Sequence, residues 1–526
     1  MSTPLRTPLP AHADTIVVGA GTGGAAFAAT LARSSDEHVL LLEAGPDYGP
    51  FDSGNWPADM LDALAIPVSH DFHLSPAGGS PGQTLDTPRA RIIGGCSSHN
   101  GCTASVSAAF DYDEWAAQGN PGWTADDVLP LLEWAHQKFR VRRYRDDELT
   151  PPQAAFVAAG QAVGLPWADD LDSIEAAEGI GPMPVNIIGG VRWNAAFAFL
   201  DPVRHLPNLT IAGTAPVGQV LVEDGTVTGV TVVRDGRSVT VTSPRVVVAA
   251  GAYHSPALLL ASGIGPSADL DALGIEVRRD LPGVGRHLLD HACVALDFTG
   301  TPGLPAQLEA MAWGPDEQSL GRKRSSLCDD GPYDIHVFMV AGSNSGHPGL
   351  PPVSLYGGAM RARSEGTVTL GPDRDWSRPL IDHAYGTDPE GHDRAVLTEA
   401  LDLLSSMAEQ PVLAVQLGEA VSRGGDPLDT IASYCHPAGT CKMGPATDPT
   451  AVVDHRGEVH GVRGLHVADA SIMPAITRGN INLPTAMIGA RIAAALAGVA
   501  PATAVRSTAP SAGAGTPTTE SREDDA

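Results

Sequence analysis

The sequence predicts a mixed α/β protein in two domains, and three observations carry that prediction. A β-rich run enters a glycine turn and then a helix near the N-terminus. A second strand enters a glycine turn near residue 250. The 526 residues, 43% apolar and 18% charged, are too many for one ordinary domain and apolar enough for a substantial core.

The first element is the strand Thr15-Ile16-Val17-Val18, which passes into Gly19-Ala20-Gly21-Thr22-Gly23-Gly24 and an alanine-rich helix from Ala25 to Arg33. A second strand, Val39-Leu40-Leu41-Leu42, ends at Glu43, 19 positions after Gly24. Gly19, Gly21 and Gly24 thus stand in the strand, turn and helix context of a Rossmann-like dinucleotide fingerprint, with Glu43 as its acidic partner. Helix-terminal N–H groups and the helix dipole attract a pyrophosphate, and a carboxylate accepts hydrogen bonds from ribose hydroxyls. The pattern leaves NAD and FAD equally open.

From Thr210 to Val248 apolar and polar residues alternate, with turn signals at Asp224-Gly225 and Asp235-Gly236, which predicts an antiparallel meander. The run Arg245 to Ala252 returns to the parent sheet and leads into a helix from Pro256 to Ser262. Between Thr301 and Asp373 the composition turns to Gly, Pro, Ser and Asp, with a strand at Ser364 to Leu370, and Asp393 to Gln410 reads as an amphipathic helix. The expected division is 1–150, 210–300 and 435–500 in a nucleotide-binding domain, 151–209 and 301–434 in a substrate domain. Residues 501–526 have too few apolar side chains to fold and are expected to form a disordered tail.

A formal net charge of −28 repels phosphate backbones and anionic headgroups, which argues against nucleic-acid and membrane-surface partners. The six cysteines show neither a CxxC pair nor zinc-site spacing, so they read as reduced thiols and no metal is expected. Met1 to Asp14 lacks the order of a secretory signal, and the apolar stretch Val246 to Gly265 is broken by His254 and Pro256. A soluble, cytoplasmic protein is the expectation.

The run Gly94-Gly95-Cys96-Ser97-Ser98-His99-Asn100-Gly101 reads as a cofactor cradle. Gly94 and Gly95 let backbone approach a ligand closely, and Ser98 and Asn100 offer short polar arms. Nothing else in such a loop asks for an imidazole, so His99 reads as a tether.

This loop, together with Gly251 to Pro266, Pro282 to His291, His436-Pro437-Ala438-Gly439-Thr440-Cys441-Lys442-Met443-Gly444 and Gly464 to Pro474 through Asn480-Ile481-Asn482-Leu483-Pro484-Thr485, resembles the glucose-methanol-choline (GMC) oxidoreductases over nearly the whole chain. The resemblance implies FAD, a second domain built on an antiparallel sheet with flanking helices, and oxidation of an alcohol by hydride transfer to flavin N5. An alcohol carbon releases hydride readily only as its hydroxyl proton leaves, so such a site needs a base and a polar partner for the oxygen. By motif position the base is His436 and the partner Asn482, preferred over Asn480. The resemblance further places Val217, Asp469 and Ala470 beside the cofactor and gives His254, His287, His291 and His466 no chemistry.

The string Gly-Gly-Cys-Ser-Ser-His-Asn, with Arg363 to Leu370 and Thr387 to Asp393, is most similar to the choline oxidase branch, in which the histidine at the place of His99 is bonded covalently to the flavin. The choline pocket is not matched. A quaternary ammonium is held by aromatic faces and a carboxylate, but the aromatic wall falls on Leu61, the carboxylate near Thr299, and the tyrosine before the base on Cys435. The remaining pocket candidates, His336, Phe338 and Tyr434, suit a neutral primary alcohol, an amino alcohol or a sugar-like alcohol better than choline. The expectation is an alcohol oxidase using O2 and producing H2O2. A quinone-linked alcohol or choline dehydrogenase and an FAD-containing hydroxynitrile lyase are the alternatives, and a homodimer is left open.

Overall fold

The structure is a computed structural model and describes residues 3–64, 69–78, 82–175, 177–309, 315–342, 352–422 and 425–505. Its first layer is a parallel five-stranded sheet in the order Leu209–Ala212, Val39–Leu42, Thr15–Val18, Val246–Val248, Leu465–Val467. The strands Thr15–Val18, Val39–Leu42 and Val246–Val248 are buried at every position. A parallel sheet covered on both faces demands such unbroken apolar runs. The helices Thr22–Ser34 and Asn482–Ala497 pack closely, since a Cβ added at Gly489 would lie 2.2 Å from the Gly23 carbonyl oxygen.

The meander expected from residue 210 begins later. Leu209–Ala212 joins the parallel sheet beside Val39–Leu42, and the antiparallel part is a separate three-stranded sheet of Val217–Glu223, Thr226–Arg234 and Arg237–Thr242. Its turns carry Asp224, Gly225, Asp235 and Gly236, all at positive φ, as the turn signals required.

A second layer is a mainly antiparallel seven-stranded sheet in which Ala292–Phe298, Val353–Ala359, Ile335–Ala341, Ser319–Lys323 and Gly179–Pro182 are successive neighbours. Ala292–Phe298 belongs to this sheet, although it falls within the segment 210–300 assigned from sequence to the first domain. The helix His392–Ala408 lies on the sheet's apolar face, where Val396, Leu397, Ala400 and Leu404 join Val294, Val337 and Leu355 in one core. The expected C-terminal tail starts with a short helix, Pro501–Ala504; the rest of that expectation, 506–526, lies outside the described residues. Among the described residues no helix is long and apolar enough to cross a membrane.

Candidate active site

Two loops meet at the site, one ending at His436 and one running from Thr477 to Asn480. The first is pinned by Asp290, whose carboxylate accepts hydrogen bonds from the backbone N–H of His436 (2.9 Å) and His291 (2.8 Å) and from the hydroxyls of Ser433 (2.5 Å) and Tyr385 (2.7 Å). Cys435, at φ +68°, makes the sharp bend that turns His436 inward.

The protonation of His436 follows from its neighbours. His291 Nε2 lies 2.9 Å from the Thr477 carbonyl oxygen, an acceptor only, so Nε2 carries the proton of that ring. His291 Nδ1 is then a lone pair and accepts from His436 Nδ1–H at 2.9 Å. His436 Nε2 is therefore the free base, and it faces Asn480 Nδ2 at 3.3 Å. Burial is the main force holding both rings neutral, bringing His291 down to about 4 and His436 well below the ordinary histidine range; His291 and Arg89 add to the effect on His436.

Asn480 thus stands where Asn482 was expected. Asn482 is the first residue of the helix Asn482–Ala497, and its Oδ1 accepts from the Thr22 hydroxyl at 2.7 Å, which turns it toward the N-terminal glycine turn. In a linear motif only Ile481 lies between the two asparagines, and it is the helix start that sends them apart. His291, given no chemistry from sequence, is the direct partner of His436; the adjacent acid and imidazole in Asp290-His291 were the available signal.

The pocket candidates divide. Tyr434 stacks on His436 (4.7 Å between centroids, 27°) and packs against Phe338 at 5.0 Å, with Tyr356 stacked on Phe338. His336 is fully buried, stacks on Tyr333, and neither ring nitrogen has a partner among the described residues. Cys435 neighbours Arg89 and Cys96. Leu61 packs with the larger core rather than with Phe338 and Tyr434.

The glycine turn is built for close approach. A Cβ on Gly19 would lie 2.4 Å from the Ala249 carbonyl oxygen and one on Gly24 1.9 Å from that of Gly19. The helix Thr22–Ser34 begins with no side-chain cap and no acidic residue in its first turn, so its terminal N–H groups are open to an anion. Glu43 accepts from Ala20 N–H (2.9 Å) and Gly45 N–H (2.8 Å), while burial pushes it up to about 7. Gly95 presses on Gly21, which brings the cradle loop of Gly94 against the turn; there Ser98 Oγ bonds the Ile93 carbonyl and Asn100 Oδ1 accepts from Cys102 N–H. Asp469 receives Gly251 N–H (2.7 Å) and the Ser255 hydroxyl (2.5 Å), Ala470 receives Gly439 N–H, and Val217 is buried at the start of its strand. Asn482 Nδ2 is buried with no partner among the described residues, a donor suited to a cofactor acceptor atom. These residues fit a dinucleotide.

His99 Nδ1 is 2.7 Å from Asp71 Oδ1, which fixes the orientation of the ring. Although burial opposes the charge, Asp71 and Cys96 raise His99 to about 9. Cys96 falls to about 6 against its own burial, through Arg89 and His99.

Comparison with known proteins covers both halves of this arrangement. The GMC oxidoreductase family matches over residues 13–293 with its N-terminal part and 362–489 with its C-terminal part. An oxygen-dependent choline dehydrogenase of Photobacterium profundum is 31% identical over 93% of each chain. One of Sinorhizobium fredii is 33% identical over 93% of this chain and 96% of that one. Among solved structures, pyridoxine 4-oxidase from Mesorbium loti superposes with a TM-score of 0.79 at 29% identity, covering 91% of this chain and 98% of its own. A formate oxidase shares the fold at 22% identity, with a TM-score of 0.78 over 92% and 97%. Since the matched spans hold the glycine turn, the cradle loop, His436 and Asn480 together, the chain belongs to the GMC oxidoreductase family.

Proposed function

We propose that this protein is an FAD-dependent alcohol oxidase. The observation that carries the reading is His436 Nε2, left as a lone pair by the Thr477–His291–His436 chain and facing the Asn480 amide. His436 Nε2 takes the hydroxyl proton, and Asn480 Nδ2 donates to the substrate oxygen as its charge grows. Stacked Tyr434 and the Asp290-pinned loop hold the imidazole in place, so the base need not be ordered during the reaction. FAD, when bound, would supply the hydride acceptor, with O2 as the final oxidant and H2O2 as product. Gly19, Gly21 and Gly24 with the Thr22–Ser34 N-terminus would hold its pyrophosphate, Glu43 a ribose, and Asp469, Ala470, Asn482 and Val217 the remainder. His99 Nε2 would anchor the ring covalently, supported by the Asp71 contact that fixes Nδ1. The names of the relatives, oxygen-dependent dehydrogenases and a pyridoxine oxidase, favour oxygen over a quinone.

A panel of alcohols tests this. Under anaerobic conditions a substrate bleaches the flavin absorbance, and in air each turnover releases one H2O2. Cleavage of a cyanohydrin with the flavin remaining oxidised would overturn the oxidase. Acid precipitation then reports the tether: yellow colour stays with the denatured protein if His99 is linked and leaves with the supernatant if it is not.

A further inference from the structure

The structure supplies a carboxylate that a linear alignment does not find. Glu317 precedes the strand Ser319–Lys323, whose neighbour Ile335–Ala341 carries His336 and Phe338 in register with Arg322 and Leu320. The backbone beside it is fixed, because the Gln318 amide bonds Thr150 N–H (2.7 Å) and the Glu148 carbonyl (2.7 Å) and the Gln318 carbonyl accepts from Met183 N–H. Its side chain reaches the cradle loop: a Cβ placed on Gly101, two residues beyond His99, would lie 3.5 Å from Oε2 and 3.8 Å from Oε1. Its charge bears on Tyr434, the ring stacked on His436, and on Cys102 and Tyr144. Phe338 and Tyr434 belong with Tyr144 and with Cys102, the residue after Gly101, in one apolar cluster, so the carboxylate lies beside the loop that feeds this cluster.

Among the described residues Glu317 has neither a hydrogen-bond donor nor a cation. Glu317 is half-buried, and a carboxylate drawn partly out of water without a counter-charge is stabilised by a cationic ligand. Burial, with a contribution from Asp316, pushes its carboxyl up to about 7, which agrees with a group short of a partner.

We propose that Glu317 is the specificity carboxylate of this site and that the substrate is an alcohol bearing a protonated amine, its carbinol at His436 and Asn480 and its ammonium N–H donating to Glu317. This rests on the alcohol-oxidising reading above and narrows its substrate class. The carboxylate comes from a different place in the chain than the Thr299 region where a choline pocket would supply it, and the rings of Phe338, Tyr356 and Tyr434 offer apolar faces between the two ends.

The test uses the flavin-loaded protein at about pH 8, where ordinary carboxyls are ionised and alkyl amines protonated. It compares kcat/KM for 2-(dimethylamino)ethanol and its carbon isostere 3-methyl-1-butanol. The wild type prefers the amine by at least about tenfold, the scale of one charge-assisted hydrogen bond. In Glu317→Gln the ratio falls toward one through loss of amine turnover, with flavin content serving as the control for folding. Choline, which has no N–H, turns over at least about tenfold more slowly than the amine. Equal turnover of amine and isostere by the wild type, a preference retained in Glu317→Gln, or parity between choline and the amine overturns the assignment while leaving alcohol oxidation standing. Failure of every alcohol to bleach the flavin overturns the oxidase reading itself, and this inference with it.

Discussion

The catalytic reading depends on where one proton sits. The Thr477 carbonyl can only accept, and that fact passes through His291 to leave His436 Nε2 without a proton. His436→Ala should lower kcat/KM by about 10²- to 10⁴-fold, as expected for loss of a general base. Asn480→Ala should cost about 10²-fold in kcat, whereas Asn482→Ala, beside Thr22, should chiefly weaken flavin retention. Steady-state kinetics and flavin content of the two asparagine variants separate these roles, and the opposite pattern would restore Asn482 to the substrate oxygen. Because His436 is held neutral, kcat/KM for a neutral alcohol, which does not engage Glu317, should stay level as pH falls to 6.5, with the acid limb of His436 lying below that ordinary histidine value.

At the scale of elements, the glycine turn and the two helices behind it form one close-packed unit. Gly24 has no room for a side chain, as the Gly19 carbonyl would be 1.9 Å from its Cβ, and Gly23 and Gly489 bring the helices Thr22–Ser34 and Asn482–Ala497 into backbone contact. Gly24→Ala should therefore displace the turn, cost about 1–3 kcal/mol of stability and release flavin. Gly303→Ala, with nothing within 4 Å of its Cβ, is the control and should leave both unchanged. Flavin absorbance per protein and the thermal midpoint decide; full flavin content in Gly24→Ala would mean that the turn does not seat the pyrophosphate.

Over the whole molecule, buried titratable groups set the response to acid. Among the described residues seven histidines (His70, His254, His291, His336, His383, His436 and His466) are lowered chiefly by burial, and four carboxyls (Glu43, Asp201, Asp316 and Glu317) are raised by it. A lowered histidine contributes stability that is present above 6.5, its unfolded value, and is lost as pH falls toward its folded value, about 4 for His254, His291 and His466. The raised carboxyls act in the opposite sense, gaining as pH falls through about 7 for Glu43 and Glu317 and about 6 for Asp316. The histidines outnumber them, so the thermal midpoint should drop between pH 6.5 and about 4; calorimetry showing a flat or rising midpoint there would contradict the balance.

Sequence alone determined the features that local rules and ordered motifs encode. The strand, glycine turn and helix at Thr15–Ser34, the return strand Val246–Val248 and the cradle loop were legible because period, β-branching and glycine spacing act over a few residues. The family was legible because its motifs occur in order. Tertiary structure decided what depends on direction. The helix starting at Asn482 turned one asparagine to Thr22 and left Asn480 to His436, the packing of Ala292–Phe298 moved a strand into the second sheet, and the fold brought the Glu317 carboxyl beside Gly101 of the cradle loop from more than 200 residues away. A side chain's neighbours across such distances follow from how the sheets pack, and no spacing in the chain records them.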